Sequence, residues 1–177
     1  AWLEPAWDFL TQGTFDTFRE ALTALRTQLN QSPQGLAFAC DIETIRHQIA
    51  CAGFATSSTR AICVPFRTSF EYWSIDQELE LIGLIRDILE HRNARVIGQN
   101  FHYDAQYFCA KWGIVPRFAD DTMIAQHLLF LGMPKTLYFI ASVYCDWYQY
   151  WKDDLKDYRK APDDDQKFFV YNCRDCC

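Results

Sequence analysis

The sequence predicts an α/β fold, a mixed five-stranded sheet flanked by helices. Three observations point there. A run of apolar residues at helical spacing opens the chain. Three consecutive strand-like segments follow it, the last two joined by a short polar loop. From there on, strands and helices alternate.

The first helix is expected over Phe15–Leu29, where Phe15, Phe18, Leu22, Leu25 and Leu29 recur at three- and four-residue steps. Asn30 to Gly35 then reads as a breaker loop. Strands are expected at Leu36–Glu43, Ile49–Thr56 and Arg60–Phe66, with Ser57-Ser58-Thr59 as the hairpin loop. Ser74-x-x-Gln77 is a capping box that opens a helix running to about His91, with Leu79, Ile82, Ile85 and Leu89 on its buried side. Ala94–Gly98 is a fourth strand. Tyr103–Trp112 is helical and is closed by Gly113 as a left-handed cap. Ile114–Phe118 is the fifth extended piece. Asp121 caps a helix over Thr122–Leu131, and Pro134 separates it from a further helix at Leu137–Cys145. Residues 146–162 read as an irregular polar and aromatic excursion. Asp163-Asp164-Asp165 opens the last helix, its acids matched to the positive end of the dipole.

The chain has 177 residues, 50% of them hydrophobic and 23% charged, enough to build one core and too ordinary to be disordered. No apolar run reaches the ~18 residues of a membrane span. The first ten residues hold two acids and no base, unlike a secretory signal. The missing initiator Met suggests a processed or excised fragment. The net charge of −6 disfavours a general nucleic-acid coat protein but not an enzyme that meets nucleic acid through metal ions. Of eight cysteines, several lie in apolar segments (Cys40, Cys63, Cys109), and Cys173-x-x-Cys176 has no second pair at zinc spacing. They read as buried, reduced thiols of a cytoplasmic protein.

Asp41 and Glu43 stand two apart at the end of the first expected strand, so they point to one face. Two carboxylates so placed raise one another's pKa unless a cation intervenes. Asp104 lies where Gly98-Gln99-Asn100-Phe101-His102-Tyr103-Asp104 leaves a strand and enters a helix. Asp175 follows Tyr171 by four residues on the last helix, so phenol and carboxylate share a face. Taken singly, these read as a solvated strand end, a helix-starting acid, and an aromatic anchor beside a surface acid. His47 and His102 read as polar surface residues.

Taken together, in order, with Asp104 63 residues after Asp41 and Asp175 71 after that, the three segments resemble the DEDDy exonucleases. The resemblance is to the 3′–5′ proofreading domain of family A DNA polymerases, phage enzymes in particular. It covers Leu36 to Cys177, about four fifths of the chain. Asp121-Thr122-Met123 and Lys135-Thr136-Leu137 resemble that family's connecting segments. The histidine branch of the superfamily is set aside, because Val170 occupies the place of its histidine.

The resemblance implies a ribonuclease H-like fold, with residues 1–35 as an N-terminal helical extension and 36–177 as the exonuclease domain. It implies metal-dependent removal of nucleotides from DNA 3′ ends by Asp41, Glu43, Asp104, Tyr171 and Asp175. The four acids would hold two Mg2+, for which Mn2+ substitutes. Asp41 would bridge both ions, Glu43 and Asp175 would complete one site and Asp104 the other. Tyr171 would orient the attacking water, since a phenol with a pKa near ~10 is a poor base. Thr44, Asn100 and Tyr103 would contact the terminal nucleotides, with Gln99 a weaker candidate. The implied partners are a single-stranded DNA 3′ end and a polymerase domain in a longer parent chain. The implied location is the cytoplasm, a host's if the source is viral. A −6 surface gains little from counterion release, so metal-free DNA binding is expected to be weak. Two other readings stay open, a free-standing ribonuclease D-like enzyme and an inactive DNA-binding or scaffold module.

Overall fold

The computed structural model describes residues 4–147, 150, 151, 153 and 165–177. Its centre is a sheet in which every strand but one runs the same way. The elements, in chain order, are β1 (Asp8–Leu10), α1 (Phe15–Gln31), β2 (Leu36–Ile45), β3 (Gln48–Ala55), β4 (Arg60–Pro65), α2 (Ile75–Leu89), β5 (Ala94–Gly98), α3 (His102–Tyr107), β6 (Phe118–Asp121), α4 (Thr122–Leu129), α5 (Leu137–Tyr144) and α6 (Asp165–Cys176). The spatial order of strands is β1-β4-β3-β2-β5-β6, with β3 antiparallel to both its neighbours and the other pairs parallel.

The sheet agrees with the expected mixed architecture, with one strand more among the described residues than the five predicted. The extra strand, β1, is three residues long, too short to show a period of two, and exists through its parallel pairing with β4. A second difference lies after Gly113, whose φ of +64° matches the predicted left-handed cap. The strand there is Phe118–Asp121 rather than Ile114–Phe118. Pairing with β5 begins only at Val96↔Phe118, while Ile114 is buried in the core.

The helices follow their local signals. Thr14 and Ser74 form capping boxes at the heads of α1 and α2, and Asp121 caps α4 by accepting from the Met123 and Ile124 N–H groups. On α2 the predicted face was rotated. The buried residues are Leu81, Leu84, Ile85, Ile88 and Leu89, and Leu79 is 62% exposed. Steps of three, one, three and one make the wider apolar stripe, and it wins over the sparser set. The predicted helix 103–112 divides into α3 and a π-helical turn, Phe108–Trp112. The predicted excursion at 146–162 and the acids Asp163 and Asp164 lie largely outside the described residues.

The two faces of the sheet are covered differently. On one, Leu36, Phe38, Ile42, Phe54, Val64 and Phe66 pack with Phe18, Leu22, Leu25 and Leu29 of α1 and with α2. On the other, Cys51, Ala55, Ala61 and Cys63 meet Phe168, Phe169, Cys173 and Cys176 of α6. Alternation along β2 sends Phe38 and Ile42 to the first face and Ala39, Asp41 and Glu43 to the second. Five cysteines are fully buried thiols as expected (Cys40, Cys51, Cys63, Cys173, Cys176). Cys145 is exposed and Cys177 half-buried, against that expectation, and Cys109 is exposed because the π-helical turn directs Phe108 inward instead.

Candidate active site

Asp41 lies opposite Gly53, and Glu43 opposite Cys51, on the β2–β3 ladder. The small-residue face around them lets α6 come close. Tyr171 and Asp175, one helical turn apart, thereby reach the strand that carries Asp41 and Glu43. Carboxylate oxygens of Asp41, Glu43 and Asp175 all lie within 4.8 Å of one another.

Asp104 arrives by a different route. β2 pairs with β5 only as far as Ala39↔Ile97, so the Ile42 N–H has no strand partner on that side. Asp104 Oδ1 accepts from it at 2.8 Å. The segment that brings Asp104 there is a tight reversal. Phe101 folds back over Gly98, where a Cβ would stand 2.6 Å from its ring, and Asn100 takes a left-handed φ of +56°. Asp121 fixes this reversal, accepting from the N–H groups of Asn100 (3.1 Å) and Phe101 (2.8 Å) while it caps α4. Gln99 is committed as well, donating to the Lys135 carbonyl and accepting from the Thr122 hydroxyl.

Asp41, Glu43, Asp104, Tyr171 and Asp175 line one cavity of about 620 Å³. Thr44, Asn100, Tyr103 and Gln99 line it too, and the Thr44 and Tyr103 hydroxyls are hydrogen-bonded at 2.8 Å. Every candidate catalytic, metal-ligating and nucleotide-contacting residue read from the sequence thus lines this cavity. His47 and His102 are exposed polar residues, and neither lines it.

The electrostatics are those of crowded acids. Burial, aided by the nearby Asp121 and Asp175 charges, pushes the Asp104 carboxyl up to about 7 against the pull of its Ile42 hydrogen bond. Burial and the Asp175, Glu43 and Asp41 charges push the Tyr171 phenol well above its ordinary value, so it is a neutral O–H donor at any physiological pH. Oxygen-only donors at mutual ligand distance, with a carboxyl that resists ionising beside them, fit a hard divalent cation such as Mg2+ or Mn2+.

Three supporting residues were not read from the sequence as parts of the site. Trp151 donates its indole N–H to Asp175 Oδ1 at 2.6 Å. Asn172 donates to Asp41 Oδ2 at 2.8 Å. Arg46 sits in the β2–β3 turn at φ +50° and is the one cationic side chain among the described residues that line the cavity. Only Asn172 had a signal, its place between Tyr171 and Asp175, and that place alone says nothing of its partner.

Three solved structures of similar fold are informative. Escherichia coli RNase D is 14% identical with a TM-score of 0.65, over 97% of this chain and 42% of its own. The catalytic core of RRP6 from Trypanosoma brucei is 15% identical with a TM-score of 0.66, over 99% and 45%. Brucella melitensis NrnC with bound Mg2+ is 14% identical with a TM-score of 0.59, over 82% and 68%. The chain therefore spans less than half the length of the first two. No curated protein matches the sequence. A family model described as 3′–5′ exonuclease matches residues 15–171, from the start of α1 through the strand acids to Tyr171, and the chain belongs to that 3′–5′ exonuclease family.

Proposed function

We propose that the chain removes nucleotides from the 3′ end of single-stranded DNA by metal-dependent phosphodiester hydrolysis, as the proofreading part of a family A DNA polymerase. The observation that carries the reading is the meeting of four acids from three distant segments, Asp41 with Glu43, Asp104, and Asp175, around one cavity.

Asp41, Glu43 and Asp175 would hold one divalent ion, and Asp104 with Asp41 a second, Mg2+ in both with Mn2+ able to substitute. When bound, such ions offset the charge that grows on the attacking and departing oxygens and acidify water. The chain's own residues do the rest. Tyr171, neutral and buried with its O–H on Asp175, would orient the attacking water beside that carboxylate. The hydroxyl pair of Thr44 and Tyr103 forms the wall against which the terminal nucleotide rests, with Asn100 beside it. Trp151 holds Asp175 in place through its indole N–H. Among the described residues, no helix is long and apolar enough to cross a membrane.

The DNA reading is supported by the Gly98–Asp104 segment, which resembles the polymerase type. RNA is the second reading, favoured by the fold likeness to RNase D, an exoribonuclease involved in structured RNA processing. The test is digestion of 5′-labelled single-stranded DNA and RNA of one sequence with Mg2+. A ladder growing from the 3′ end, faster on DNA, absent in chelator and reduced at least ~10³-fold in Asp41→Asn, is expected. Equal rates for wild type and Asp41→Asn would assign the activity to a contaminant, and faster cutting of RNA would select the second reading.

A further inference from the structure

Asn172 occupies an unusual place. It is fully buried, with none of its surface exposed. Its Nδ2 donates to Asp41 twice, at 2.8 Å to Oδ2 and at 3.3 Å to the main-chain oxygen. Among the described residues its own Oδ1 has no hydrogen-bond partner. A buried carbonyl left unpaired costs stability, so packing alone does not explain an amide there.

The strand beneath has made room for it. Gly53 is the cross-strand partner of Asp41, and a Cβ on Gly53 would lie 2.2 Å from Asn172 Oδ1 and 3.0 Å from its Cγ. A side chain at 53 would crowd the Asn172 amide first and the Cys176 Sγ, 2.7 Å from that Cβ, next. Glycine in the middle of a strand weakens it. Two local costs, an unpaired oxygen and a strand glycine, thus converge on one contact.

The chemistry of that contact suits a ligand to a cation. An amide N–H is a neutral donor. It fixes the rotation of the Asp41 carboxylate without cancelling its charge, whereas a lysine or arginine in the same place would compete with a divalent ion. We propose that Asn172 is a positioning residue for Asp41, seated by Gly53, and that it holds the carboxylate where its oxygens meet those of Glu43 and Asp175. This rests on the metal-dependent nuclease reading above.

The experiment is Mn2+ titration calorimetry on the whole chain, with thermal melts of the metal-free protein alongside. Asn172→Leu keeps the number and branching of the side-chain heavy atoms but removes both the donor and the unpaired oxygen. It is expected to leave the metal-free chain folded and to weaken Mn2+ binding about 10–100-fold. Gly53→Ala keeps the amide but displaces it, and is expected to weaken Mn2+ binding to a similar degree. A structural role alone predicts the reverse, lower melting temperatures with wild-type Mn2+ affinity. Wild-type affinity in folded Asn172→Leu or in folded Gly53→Ala would overturn this proposal and leave the nuclease reading standing. A wild-type chain that neither binds Mn2+ nor digests nucleic acid would overturn both.

Discussion

The two faces of the sheet use the same strands for opposite purposes. Toward α1 and α2, the strands present Phe38, Ile42, Phe54, Val64 and Phe66, large side chains that fill a deep apolar layer. Toward α6 they present Ala39, Cys51, Gly53, Ala55, Ala61 and Cys63, with Asp41 and Glu43 among them. Large residues hold a helix away from a sheet and small ones let it approach. The first face gives the fold its stability. The second gives up buried area so that α6 can bring Tyr171 and Asp175 to the strand acids. A change on one side should therefore be felt mainly as stability, and on the other mainly as activity.

The largest expected effect is on the apolar face. Phe54, 1% exposed, packs near Phe38. Phe54→Ala should cost about 3–5 kcal/mol. Denaturant melts should show it, while the exonuclease rate per folded molecule stays near wild type. A selective loss of rate would blur the division between faces.

Overfilling the other face should do the opposite. Cys63, fully buried, belongs to the cluster that meets α6. Cys63→Leu adds volume beneath α6 and should cost about 1–3 kcal/mol. Its exonuclease rate should fall by more than that loss of stability explains, because Asp175 and Tyr171 move away from Asp41. Rate assays at a temperature where both proteins are folded would show this.

The acidic side also carries a pH signature that the apolar side lacks. Unfolded, Asp104 ionises near its ordinary 3.8; folded and metal-free, it ionises near about 7. Between those values the folded chain holds the extra proton, so stability falls as pH rises across the window and stays low above it. Asp104→Asn should raise metal-free stability at pH 8 by on the order of 2 kcal/mol and change nothing below pH 3. Melts in chelator at the two pH values would check it.

The smallest effect concerns Arg46, the cation in a cavity of acids. If it meets a phosphate of the trailing strand, Arg46→Ala should raise KM about 3–10-fold, leave kcat unchanged, and lower the salt dependence of binding by about one charge. An altered kcat with constant KM would remove it from strand binding.

How much of this was legible in the sequence depends on distance along the chain. The D-x-E pair at a strand end, the Gly98–Asp104 segment and the Tyr171–Asp175 turn are local patterns, and all reach the same cavity. The hairpin strands, the capping boxes and the Gly113 cap were readable for the same reason. What was not legible depends on partners far away. Asn172 and Asp41 are 131 residues apart, and Asp121 meets Phe101 across 20. Gly53 looks like a weak point in a strand until the amide above it is seen. What α1 packs against is likewise not written in its own residues. Its stripe of Phe18, Leu22, Leu25 and Leu29 proves to share the core with Phe38 and Phe54. The face of α2 was missed because two helical phases fit its apolar residues, and only packing against α1 chooses between them.

The claim on which all of this turns is that the α6 face of the sheet is built to gather divalent ions. Anomalous scattering from a crystal of the whole chain soaked in Mn2+ tests it most directly. Two peaks about 3.5–4 Å apart are expected, ligated by Asp41, Glu43, Asp104 and Asp175. An ordered acid cluster that shows no peak at saturating Mn2+, or ions bound only elsewhere on the molecule, would contradict it.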